Sequence, residues 1–82
     1  MKLMAFSIYD VKVEAYESPF YARTAGEAER YWKMMLEDDR RPYKKFPQDY
    51  QLYLVGTFDE ITGLLEPQKE VTRLHGLEVS NG

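Results

Sequence analysis

The richest cluster of reactive residue types in this chain is Arg40-Arg41-Pro42-Tyr43-Lys44-Lys45-Phe46, where four cations are interleaved with two aromatic rings. Cations can track a phosphate backbone while aromatic and guanidinium planes stack on unpaired bases, which is a common way of holding single-stranded nucleic acid. Arg40, Arg41, Lys44 and Lys45 are therefore candidates for phosphate contacts and Tyr43 for a base contact. Tyr9 and Tyr53 extend the same platform if both project from the wetter face of a sheet. A second reading stands beside this one: the charges solvate a loop, helped by the adjacent Asp38 and Asp39, while Tyr43 and Phe46 anchor it to the core. A third uses exposed tyrosines, or strand addition at a sheet edge, for contact with another protein or a second copy of the chain.

Catalytic chemistry finds little support. His75 is the single histidine, it lies beside Gly76, and it reads as a surface residue because no recognisable nucleophile motif accompanies it. With no cysteine, Cys–His catalysis is impossible, and a Ser–His pair would have to be assembled from isolated residues. Asp38-Asp39 and Asp59-Glu60 supply carboxylates without the ligand spacing of a calcium loop, and Asp59 has a sufficient task in a turn. The glycines occur singly, so neither phosphate-cradling glycine motif is present. The expectation is a non-enzymatic protein with no cofactor and no metal.

The elements that must position these residues are read from periodicity. Along Tyr50 to Phe58, Tyr50, Leu52, Leu54, Gly56 and Phe58 alternate with Gln51, Tyr53, Val55 and Thr57, the pattern of a strand with one drier and one wetter face. Asp59 to Gly63 reads as a five-residue connection in which the Asp59 carboxylate folds back on turn amides and Gly63 takes positive φ. Pro67 then limits the return strand, and Glu70 to Leu74 makes an optional last short strand before a frayed tail from His75-Gly76 to Asn81-Gly82. Near the start, Lys2, Met4, Phe6 and Ile8 alternate with Leu3, Ala5, Ser7 and Tyr9, giving a first strand packed mainly through the first set. Asp10 to Pro19 reads as an exposed strand extension or loop. Thr24-Ala25-Gly26-Glu27 matches a capping box, and the apolar stripe Ala25, Ala28, Trp32, Met35, Leu36 behind it predicts an amphipathic helix over 25–38. Pro42 ends any helical continuation.

At 82 residues the chain is expected to form one domain, 1–82, with a single modest core, since a chain of this size buries only a little over roughly 60% of its unfolded surface. The absence of cysteine suits a reducing compartment, and neither a membrane span nor an export signal is expected from its short apolar runs. A net charge of −3 argues against a simple electrostatic nucleic-acid coat, whereas the 15% aromatic content, including seven Tyr, is compatible with cores, interfaces and base-stacking surfaces alike. The fold expectation is α+β: a small antiparallel sheet in the order β-α-β-β, with or without a further short strand, and one amphipathic helix packed on one face.

The stretch D-Y-x-L-Y-x-x-G-x-F-D-x-x-T-G from Asp49 to Gly63 resembles the small non-structural protein of gokushoviruses, the single-stranded DNA phages of the Microviridae. The order of other features agrees: the opening strand from Met1 to Asp10, the Pro19-Phe20 pair, the helix with Glu27, Ala28 and Arg30, and Pro67 after the hairpin. The resemblance spans nearly the whole chain, with the hairpin as its most specific part. It implies a phage non-structural accessory protein in the host cytoplasm, acting on single-stranded DNA during genome replication or its handover to packaging. A homo-oligomer and a phage or host replication protein are the further partners it leaves open. It carries over no catalytic residue.

Overall fold

The computed structural model describes residues 1–75. Among these, five strands form one antiparallel sheet: β1 (Lys2–Asp10), β2 (Ala15–Tyr16) and β3 (Phe20–Ala22) precede helix α1 (Ala25–Glu37), and β4 (Tyr50–Asp59) and β5 (Leu65–His75) follow it. β1 and β4 run side by side through the middle. β5 flanks β4, and the two short strands share the other side of β1. Two short 3₁₀ segments, Pro42–Lys44 and Pro47–Asp49, return the chain from helix to sheet.

The α+β architecture is the one the alternation and the helical stripe predict. Phe6 and Ile8 of β1 and Tyr50 and Leu52 of β4 face α1, which contributes Ala28 and Trp32 to the same buried cluster. Phe6 and Leu52 are fully buried, and removing such a side chain from water stabilises the fold by roughly 1.5–3 kcal/mol. Helix α1 begins as its cap sequence dictates: the Thr24 hydroxyl accepts from the Glu27 N–H at 3.1 Å. The reciprocal bond differs from the expected box, because the Glu27 carboxylate accepts from the N–H of Arg23, one residue before the cap. The helix ends at Glu37, one residue short of the predicted limit, where Asp38 adopts extended backbone.

Three expectations about the strands are corrected. First, residues 10–19, read as an exposed strand extension or loop, contain both: Asp10 opens a tight turn into the exposed β2, and with β3 after it five strands stand where three or four were expected. Second, Pro67 does not stop the return strand. It pairs with Gly56 inside β5, and the segment 70–74 belongs to the same strand; an edge strand tolerates proline because the lost donor need not face a neighbour. The β4–β5 register slips between Leu54 and Gly56, so residues 68–71 form an excursion, closed on itself by the Gln68 amide donating to the Thr72 hydroxyl at 3.1 Å. Third, β4 does not keep one face. Its register against β1 shifts between Ala5 and Phe6, with Ala5 opposite Gly56 but Phe6 opposite Leu54, leaving Val55 as the extra residue of a bulge. Leu52 and Leu54 consequently point toward α1, while Gly56 and Phe58, expected in the same core, lie on the opposite face beside Tyr21. His75 closes β5, 3.4 Å from Glu29 of α1, instead of opening a tail; the remainder of that expected tail lies outside the described residues.

The two tight hairpin turns are built alike. The Asp59 carboxylate accepts from the N–H groups of Ile61 and Thr62 at 2.8 and 3.3 Å and Gly63 has φ +75°, both as predicted, and the Asp59 carbonyl accepts from the Gly63 N–H at 2.8 Å. Those bonds hold the Asp59 carboxyl below its ordinary pKa. In the first turn, the Asp10 carboxylate accepts from the N–H groups of Lys12 and Val13 at 2.9 and 3.2 Å and the Asp10 carbonyl accepts from Glu14 at 2.8 Å. Here the left-handed position is held by Glu14, with φ 61°.

A non-glycine residue in that conformation is strained by about 1–2 kcal/mol. Glu14→Gly is therefore expected to raise stability by up to ~1 kcal/mol after glycine's own entropy cost, and Gly63→Ala to lower it by about 1–2 kcal/mol, both read from urea unfolding midpoints. Gly56 is required for a different reason. A Cβ there would lie 2.4 Å from the Glu66 carbonyl oxygen and 3.3 Å from Pro67 Cα, so Gly56→Ala is expected to displace β5 and lose about 1–3 kcal/mol in the same assay.

Candidate nucleic-acid interface

The loop after α1 is pinned by its central aromatic. Pro42 starts a 3₁₀ turn that drives Tyr43 into the core, where its ring centre lies 4.7 Å from Tyr50 and 6.4 Å from Trp32. Its hydroxyl donates to the carboxylate of Glu17, in the β2–β3 connection. Burial, reinforced by the Glu17 hydrogen bond, pushes the phenol up to about 12. At 2% exposure Tyr43 has no face to offer a base, which corrects the stacking role expected of it. Phe46, by contrast, is half exposed. The two aromatics therefore divide between the readings that had treated them together.

The four cations surround this anchor. Arg40 forms a two-point contact with Asp38, both at 3.1 Å, and its backbone N–H donates to the same carboxylate at 2.9 Å. The Asp38 carboxyl is held down at about 2, chiefly by the Arg40 side chain. Arg41 lies 3.6 Å from Asp38 and 5.8 Å above the Tyr43 ring, and Lys44 pairs with Asp39 at 2.9 Å. Among the described residues Lys45 forms no ion pair closer than 4 Å. Exposed pairs of this kind contribute little stability, so they can yield to a phosphate at small cost.

The open face of the sheet, opposite α1, carries a second constellation. Antiparallel partners project to the same side, and the register stacks cross-strand rows. Tyr16 and Gln51 flank Tyr9, Tyr53 lies between Ser7 and Arg73, and Ala5 and Gly56 lie between Tyr21 and Pro67. Tyr9, Tyr16 and Tyr53 touch one another, with ring centres 4.7 Å (Tyr9–Tyr16), 6.1 Å (Tyr9–Tyr53) and 5.4 Å (Tyr16–Tyr53) apart. Beneath them Ser7 and Gln51 are buried; the Ser7 hydroxyl donates to the Glu17 carbonyl at 2.6 Å and the Tyr53 hydroxyl to Gln51 Oε1 at 3.1 Å. Burial, with the neighbouring Tyr53 and Tyr9, raises the Tyr16 phenol. Such a ring remains neutral at ordinary pH and keeps its π-face.

The structure thus brings Tyr9 and Tyr53 together but separates them from the loop. Tyr43 packs with Tyr50 on the helix side, whereas Tyr53 projects from the other side, so Arg40, Arg41, Lys44 and Lys45 do not continue the tyrosine surface across one face. Tyr16, Tyr21, Phe58 and Arg73 complete the open face and escaped sequence reasoning. A signal for Tyr16 was present: Asp10 occupies the same turn position as Asp59, which folds Tyr16 back against Tyr9. Among the described residues no group of three or more acidic or histidine side chains could hold a metal, and no helix is long and apolar enough to cross a membrane.

These features define a small α+β protein with a helix on one sheet face and an aromatic surface on the other. The chain belongs to the phage ORF5 protein family, whose family model matches residues 3–79. No curated protein and no solved structure matches it.

The Tyr43 anchor generates a pH prediction. The native state retains the Tyr43 proton up to about pH 12, whereas the unfolded chain gives it up near the ordinary value of about 10. Unfolding then releases a proton, so this group's contribution is complete below about pH 10 and is lost as pH rises toward 12. Tyr43→Phe should flatten that decline in urea unfolding measured from pH 9 to 12; an unchanged decline would show that Tyr43 is not its source.

Proposed function

We propose that this phage ORF5 family member is a non-enzymatic accessory protein of the gokushovirus type that binds single-stranded DNA during genome replication or handover to packaging in the host cytoplasm. The observation that carries this reading is the mutual contact of Tyr9, Tyr16 and Tyr53 on a sheet face that α1 leaves uncovered. Aromatic rings presented on an open sheet stack on unpaired bases without demanding a sequence, and an acidic protein can bind this way with few phosphate contacts. Arg73, across from Tyr53, supplies a cation within the same surface. The loop cations Arg40, Arg41, Lys44 and Lys45 serve a strand continuing past the end of the sheet, where Val11 bonds Asp49 and Asp10 pairs with Tyr50.

A protein adaptor, acting on a phage or host factor or through self-association, is the second reading. It is favoured by Met34 and Tyr31, which α1 leaves exposed at 63% and 39% beside Arg40 and Arg41. Strand addition is the less favourable route to it. Pro67 and the 68–71 excursion interrupt β5, and β2 and β3 are only two and three residues long.

Anisotropy of a labelled single-stranded oligonucleotide separates these readings. Binding should weaken with salt, Tyr16→Ala or Tyr53→Ala should reduce affinity by about 5- to 100-fold, and Arg73→Ala should lower the salt slope by about 0.7. No binding at ~10 µM protein, within the range of ordinary non-specific DNA binders, would sink the DNA reading.

A further inference from the structure

We propose that the open face also contains a slot for one unstacked base, beside the tyrosine cluster and separate from it. The inference rests on the single-stranded DNA reading and assigns that surface a second contact. One cross-strand row runs Tyr21, Ala5, Gly56, Pro67, placing two of the smallest residues between two bulky ones. Ala5 and Gly56 form the floor of a cavity of about 210 Å³, Pro19 and Tyr21 line it on the β3 side, and Leu65 and Pro67 line it on the β5 side. The floor cannot fill itself, because the Glu66 carbonyl excludes a side chain at Gly56. The volume falls below the roughly 300–1,000 Å³ of pockets for whole drug-sized ligands, which suits a single flat ring.

Position selects a base as the occupant. Ala5 lies two residues along β1 from Ser7, whose cross-strand partner is Tyr53, so the slot is about 7 Å from the tyrosine rows on the same face. Tyr21 leans on Phe58, 5.8 Å away, and presents its ring at the slot with 38% exposure. Arg73, in the neighbouring tyrosine row on the same face, supplies a cation beside the slot. A strand crossing this face places one base on the tyrosines and another against Tyr21, with phosphates between and beyond them.

The test is photo-crosslinking of the full chain to a single-stranded oligonucleotide carrying 5-iododeoxyuridine, with adducts mapped by mass spectrometry, alongside anisotropy of Tyr21→Ala, Tyr21→Phe and Tyr53→Ala. The expected result is an adduct on Tyr21, a loss of affinity of about 5- to 100-fold in Tyr21→Ala, and near-unchanged binding in Tyr21→Phe. If the oligonucleotide binds and Tyr53→Ala weakens it, but adducts map only to Tyr9, Tyr16 or Tyr53 and Tyr21→Ala binds normally, the slot is overturned while the function stands. If the wild-type chain binds no oligonucleotide, both fall, as they do if the face instead retains an aromatic or proline-rich peptide.

Discussion

The bulge at Val55 is the constraint on which the rest of the molecule depends. A strand has only two faces, so one extra residue transfers everything beyond it to the other side. Before the bulge, β4 gives Tyr50, Leu52 and Leu54 to the helix; after it, the strand gives Gly56 and Phe58 to the open surface. The same irregularity lets the backbone of β5 approach Gly56 so closely that no side chain fits there. Without it Phe58 would compete for space under α1, and the open face would lose the ring that supports Tyr21.

Much of this was legible in the sequence where local chemistry decides the outcome. The Thr24 cap, the apolar stripe through Ala28 and Trp32, and the Asp59 to Gly63 turn each depend on residues close in sequence, and each is found. Tyr9 and Tyr53 share a face as alternation requires, because both precede the bulge in their pairing. What escaped depends on partners distant in sequence. Nothing near Val55 announces a bulge; it shows only in the pairing with Ala5 and Phe6. Glu14 is a poor sequence marker for a left-handed turn position, so β2 and with it Tyr16 went unseen. Tyr43 looked like its exposed neighbours, yet Trp32, Tyr50 and Glu17, brought together only by folding, bury it.

The aromatic content of the chain is thereby divided by task. Phe6, Phe20, Trp32, Tyr43 and Tyr50 occupy the helix side, where the packing of rings substitutes for bulkier aliphatic layers in a small core. Tyr9, Tyr16 and Tyr53 in one contacting group, and Tyr21 and Phe58 in another, stand on the other side over a floor of Ala5, Ser7, Gln51 and Gly56. Small and polar floor residues would be a poor choice for a face meant to accept a second helix. They are well suited to holding rings at fixed positions against a thin, flat ligand, because Ser7 and Gln51 are buried and Ser7 is tied to the Glu17 carbonyl.

The Tyr43 to Glu17 contact joins two connecting segments that lie 26 residues apart. This inward ring and the backbone bonds around it hold the loop, so the exposed ion pairs of Arg40, Arg41 and Lys44 add little to its stability. Their side chains are free to vary at little cost to folding. The loop is in effect a mounting with interchangeable charges: drift in sequence can retune the salt dependence and partner preference of the surface without rebuilding the sheet that supports it.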